Sequence, residues 1–340
     1  DEIASDGAGG VTVTGDPQPL GDACTSRDAV QMAGQNIGDL LNAHHVSWGF
    51  FQGGFDLSVT NADGSTGCSR TTTSAVTSQK KVDYIPHHEP FQYYASTANP
   101  SHARPSSASN IGRGDAANHQ YDIHDFYDAL DAGNFPAVSF LKAPGYQDGH
   151  AGYSDPLDEQ DFIVSLVNRV QQTPEWGSTA VVIAYDDSDG WYDHQMSPIV
   201  NPSAIPAASA GATMNGVAVA GTADALNGDG VCNHSSMQQG NATPATPLGG
   251  AQGRCGYGPR LPLLVISPYA RSNYIDHTLT DQTSILRFIE DNWLHGQRIA
   301  GSYDALAGTL DNLFDFSAPS SGPLYLDPAT GLPRSCPTCT

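Results

Sequence analysis

Two rhythms of apolar residues alternate along this chain. In NIGDLLNAHHVSWGFFQGGF, Asn36 can cap a helix whose apolar face holds Ile37, Leu40 and Leu41, and an apolar strand over 46–52 follows. A short helical pattern over 122–131 is closed by Gly133 and leads into PAVSFL, an apolar strand over 136–141. The clearest helix covers 155–172. Asp155 caps it, Pro156 takes the first helical position, and Phe162, Ile163, Leu166, Val167 and Val170 recur at helical spacing. A strand over 179–185 comes next, then the fully apolar LPLLVIS, 261–267, and a capped helix over 281–294. Strands that are apolar on both faces and alternate with helices predict an α/β fold with a mostly parallel central sheet flanked by helices.

The remaining segments lack these rhythms. Residues 1–35 read as an extended lead-in, rich in Gly, Pro and Asp, with one short strand at 11–14. Residues 197–258 run through Ala, Gly, Pro, Asn and Ser with almost no periodicity. They predict a long irregular insertion at the surface, a lid or a decoration. Residues 319–340 read as an irregular tail, and no internal repeat is present.

In sheets of this kind ligands gather beyond the carboxyl ends of the strands. There VVIAYDDSDGWYDH places Asp186 and Asp187 side by side, with Asp189, Asp193 and His194 behind. Adjacent carboxylates repel, and a cation would cancel that repulsion. A solvated turn built by Asp-Ser-Asp-Gly is the plainer reading of the pair alone. Two further loops weigh toward chemistry: HHEPFQYY carries His88, and KAPGYQDGHAGYSDP, which also follows a strand, carries His150.

Composition narrows the classes. With 340 residues and 39% hydrophobic content the chain can bury a substantial core, and its net charge of −22 opposes binding to nucleic acid or an anionic membrane. A phosphate-bearing substrate could bind only where local cations override that field. No apolar run reaches the ~20 residues of a membrane span. Six cysteines with few lysines suggest a secreted or periplasmic protein with paired thiols, in sequence order Cys24 with Cys68, Cys232 with Cys255, and Cys336 with Cys339. Cys336-Pro-Thr-Cys339 also has zinc-ribbon spacing, but a second such pair is absent. Because the chain opens at Asp1 without an initiator Met or a secretory apolar region, a processed or truncated product is expected.

The segments NIGDLLNAHHVSWGFFQGGF, DYIPHHEPFQYYASTANP, SFLKAPGYQDGHAGYSDP, VVIAYDDSDGWYDH and LPLLVISPYARSNYIDHTLTDQTSILRFIEDNW, in that order, resemble the phosphoesterase family of bacterial and fungal phospholipases C and related acid phosphatases. The resemblance implies an alkaline-phosphatase-like α/β domain over 36–318. It also implies metal-assisted phosphoester hydrolysis through a Ser or Thr phosphoenzyme. Asp186 and Asp187 would be ligands of a divalent metal whose identity stays open. His88 and His150 would lie beside the phosphoryl group, and His194 would contact substrate or leaving group. The family's QENRSFD-like motif and its nucleophile loop, Gly-Pro-Ser/Thr-Pro-Gly-like, do not occur in these 340 residues. The chain is therefore expected to be the carboxyl-terminal portion of such an enzyme. Its expected partner is an amino-terminal fragment of the same precursor, and alone it should have little activity.

A phospholipase C acting on a phospholipid head group is the leading expectation, with acid phosphatase as an alternative. A non-catalytic secreted binding module, or an inactive fragment, is the competing class. Paired-carboxylate sugar hydrolysis fits poorly, since adjacent Asp residues rarely give the ~5 Å or wider separation it needs. Trp48, Phe50, Phe51, Phe91, Tyr93, Tyr94 and Trp191 could cage a choline-like cation, or simply form core. Asn233 and Asn241 match the glycosylation pattern, 226–233 has an incomplete calcium-loop look, and Asp281, close to His277, suits a helix cap.

Overall fold

The structure, a computed structural model, describes residues 3–5, 11–13, 15–188, 191, 193–195, 212–214, 217–219, 257–300, 302–317, 319 and 322–336. Its centre is strand β1, Trp48–Gln52, every residue of which is buried. Two strands flank β1 in parallel. One is β2, Gln120–Asp122, with Phe50 opposite Gln120; the other is β3, Val138–Lys142, with Trp48 opposite Val138 and Gln52 opposite Lys142. The carboxyl ends of all three strands therefore share one rim.

Each face of this sheet has its own core. On the side of Phe51 and Tyr121 pack α2, Ile123–Asp131, and α3, Pro156–Val170, through Phe126, Leu130, Leu166, Val167 and Val170. On the side of Trp48 and Phe50 pack α1, Ile37–Ala43, and α4, Thr283–Trp293, through Leu40, Leu41 and Ile289. This two-sided burial explains why β1 carries apolar residues on both faces. The helix starts are fixed by side chains that accept otherwise unpaired amides: Asn36 from Asp39 N, Asp122 from His124 N, and Asp155 from Leu157 N. Gly38 of α1 is a close approach, since a Cβ there would lie 2.4 Å from the Trp48 ring.

Strand β4, Val181–Ala184, pairs antiparallel with β5, Leu263–Ile266. The expected mostly parallel sheet is thus a parallel three-stranded sheet plus an antiparallel pair among the described residues. A buried apolar run reads the same in either direction, so its pattern could not distinguish the two. Strand β2 escaped the pattern because its three residues are too short for one, and they merge into the cap of α2.

The Cys24–Cys68 disulfide is present. Cys336 is also disulfide-bonded, while Cys339 and the Cys232–Cys255 pair lie outside the described residues. Within the expected irregular insertion, Ala212–Met214 and Val217–Val219 form an antiparallel pair, and Thr213 and Met214 also pair with Gln31 and Val30. The rest of that insertion lies outside the described residues. The tail is held to α3 by side-chain amides: Gln171 bonds Leu324 N and O, Asn168 bonds Leu326 N and O, and Gln160 donates to Pro328 O. Trp48, Phe50, Phe51 and Phe91 are core residues, at most 7% exposed, so they do not form the choline cage considered from sequence. No helix of the described residues is long and apolar enough to cross a membrane.

Candidate active site

Where β1 ends, the side chain of Gln52, fully buried, donates through Nε2 to Ile85 O at 2.8 Å. That bond anchors the turn Pro86–His88. Gly54, at φ +88°, lets the chain leaving β1 pass where a Cβ would lie 2.4 Å from Tyr84 N. His88 is thereby set at the rim with its side chain 9% exposed, and its Nδ1 lies 3.6 Å from Asp148 Oδ2.

Asp148, buried in the loop after β3, accepts from His150 N at 3.1 Å and from Tyr153 Oη at 3.0 Å. The Tyr153 ring stacks on His150 at 4.1 Å and carries Lys81 Nζ 3.5 Å from its centre. His150 itself is exposed, and its Nδ1–H donates to Ala151 O at 2.6 Å. In the neutral ring this leaves Nε2 as the acceptor.

From the end of β3, Lys142 Nζ reaches 3.3 Å from Asp186 Oδ2, joining the parallel sheet to the end of β4. The backbone at Asp186 is held from α4, because Gln282 Nε2 donates to Tyr185 O at 3.0 Å and also to Asp186 O. Tyr185 Oη donates to Glu159 of α3 at 2.5 Å. Asp186 and Asp187 are both exposed. His194 is exposed and follows Asp193, which chelates Arg260 through two bonds of 2.5 and 2.8 Å.

The electrostatics follow from this crowding. Burial pulls His88 down to about 3, helped by the nearby Lys142 charge and by His87, so its ring is neutral at neutral pH. Burial raises Asp148 despite the hydrogen bonds that favour its charge. Partial burial acts to raise Asp186 as well, but the Lys142 ammonium outweighs it and holds the carboxyl below its ordinary range.

The structure thus gathers His88, Asp148, Lys142 and Asp186, with His150 at the edge. Lys142, Asp148 and Gln282 were missed as site residues in sequence. Two of them lie in the single segment KAPGYQDGH, which begins at a strand end.

Asp186 and Asp187 offer the hard oxygen donors that a divalent cation takes. Among the described residues no third His, Cys, Asp or Glu joins them with ligand atoms all within 4.8 Å, so two carboxylates fit the ion in chemistry without completing its shell. Two other groups meet that distance test. In Asp22–Cys24–His102, Cys24 is in the disulfide, and Asp22 Oδ2 accepts from Tyr84, Gln92 and His102. In His124–Asp125–Asp128, Asp125 is taken by Arg104, and His124 Nδ1 lies 3.0 Å from Asp122. Both groups are engaged in internal bonding.

Comparison with known proteins gives a consistent pattern. The family described as the phosphoesterase family matches residues 3–294. A non-hemolytic phospholipase C of Burkholderia pseudomallei is 24% identical over 93% of this chain and 39% of its own length. Another of Pseudomonas aeruginosa is 26% identical over 56% of this chain and 25% of its own. Phospholipase C A of Mycobacterium tuberculosis is 25% identical over 63% of this chain and 36% of its own. The chain therefore spans between 25% and 39% of the length of these relatives.

Proposed function

The chain belongs to the phosphoesterase family, and from that premise we propose that it is part of a phosphoric ester hydrolase of the phospholipase C kind. The observation that carries the reading is the meeting of His88, Asp148, Lys142 and Asp186 at the rim of the parallel strands. That is where an α/β sheet of this type binds ligands.

In this reading Asp186 and Asp187 hold a divalent metal, which when bound supplies positive charge to the phosphate. His88 and His150 face the phosphoryl group, and His194 lies toward the leaving group. Burial disfavours an imidazolium at His88. The role of His88 is to hydrogen-bond a phosphoryl oxygen or accept a proton, and Asp148 Oδ2 lies 3.6 Å from its Nδ1. The His88 side chain is 9% exposed, so little of the ring meets solvent. The attacking hydroxyl, on a Ser or Thr, comes from an amino-terminal segment of the same precursor. The Cys24–Cys68 disulfide supports placement outside the cytosol.

The test uses the full chain, alone and co-expressed with an amino-terminal segment carrying the nucleophile loop, on p-nitrophenylphosphorylcholine and p-nitrophenyl phosphate. Diester turnover by the complete assembly is expected, with little by the chain alone. Turnover of the monoester only would favour the acid phosphatase reading, and no turnover of either would overturn both.

A further inference from the structure

We propose that Lys142 binds the non-bridging oxygens of the phosphoryl group, in a substrate ester or in free phosphate, as the cationic arm of this site. The inference rests on the phosphoester reading above and assigns a residue that reading did not include.

Ammonium groups are scarce in this chain. The 340 residues contain three lysines, and the net charge of −22 repels a phosphate wherever no cation faces it. Lys80 is paired with Asp63, and Lys81 sits over the Tyr153 ring. Arg70 is enclosed by Asp83 and Asp122, and Arg104 by Asp56 and Asp125. Arg27 is held at Asp16 O and His87 Nδ1. Lys142 alone of these stands at the end of a sheet strand on the rim, with Nζ on Asp186.

Its surroundings suit an incoming anion. The side chain is 24% exposed, so its stem is packed while its head reaches the open side, where Asp186 is 77% exposed. An ammonium has three donors, and among the described residues one is met, by Asp186 at 3.3 Å. A phosphoryl oxygen can take the others without breaking a buried pair. The Lys142 charge acts on His87, His88, Asp148 and Asp186, and the Asp186 charge opposes it at the two histidines.

The experiment is calorimetric titration of the full chain with inorganic phosphate and, separately, with glycerophosphocholine. It compares the unsubstituted chain with Lys142→Gln, Lys142→Arg and, as a distant control, Lys80→Gln. Asp186 is well hydrated, so removing its partner should leave the fold intact, and matching thermal melts check this. Lys142→Gln is expected to weaken binding at least about tenfold, the loss of one charge-assisted bond. Lys142→Arg should restore most of it, and Lys80→Gln should change nothing. Weakening with both ligands assigns Lys142 to ester and free phosphate alike, and weakening with phosphate alone assigns it to the free anion. Unchanged binding by Lys142→Gln overturns the proposal, even if the assembly hydrolyses esters. Absence of phosphate binding by the unsubstituted chain overturns it as well. Binding that depends on Lys142 without any hydrolysis would keep this assignment and remove the enzymatic reading.

Discussion

His88 illustrates how one residue's environment sets its chemistry. Burial beside Lys142 leaves its folded-state pKa at about 3, below the ordinary histidine value near 6.5. As pH falls through 6.5 the unfolded chain takes up a proton that folded His88 refuses, so stability present at neutral pH declines toward pH 3. Urea unfolding at pH 7.5 and pH 5 should therefore show a smaller drop for His88→Asn than for the unsubstituted chain. Equal drops would mean His88 is not buried as described. Asp186 and His88 stood out in the sequence because one sits in an Asp-Asp pair after an apolar strand and the other in a His-His pair. Lys142 and Asp148 did not. A strand-end lysine reads as a solvated terminus and a loop aspartate as turn chemistry, until the fold brings one to Asp186 and the other to His88.

Among the elements, all four helices α1 to α4 were readable because apolar stripes, and for α1 and α3 the caps, are local properties of the chain. Strand direction was not, and neither was the way α4 reaches across to β4. Gln282 precedes α4 in sequence yet fixes the carbonyls of Tyr185 and Asp186. Gln282→Ala should lower kcat/KM of the complete assembly by roughly ten- to a hundredfold, the scale of a small misplacement at a reacting centre. Its Tm should move by less than about 4 °C, as for a loss near 1 kcal/mol. A large Tm loss with intact kinetics would assign Gln282 to stability alone. Trp48, fully buried between α1 and the sheet, carries the opposite signature. Trp48→Ala should cost about 3–5 kcal/mol in chemical denaturation.

For the whole molecule, the acidic surface and the two cores on either side of one sheet followed from composition and periodicity. The site's completeness did not follow, because a metal shell and a nucleophile depend on residues far apart in sequence. Among the described residues Asp186 and Asp187 belong to no close group of three candidate ligands, and the relatives the chain matches are longer. The central claim is that Asp186 and Asp187 hold a divalent metal in a phosphoester hydrolase. Its most direct test is metal content and p-nitrophenylphosphorylcholine turnover measured on one preparation of the assembly, for the unsubstituted protein and for Asp186→Asn combined with Asp187→Asn. A stoichiometric divalent metal and turnover are expected, both lost in the double variant while its thermal melt is retained. A double variant that keeps its metal and its turnover would contradict the claim.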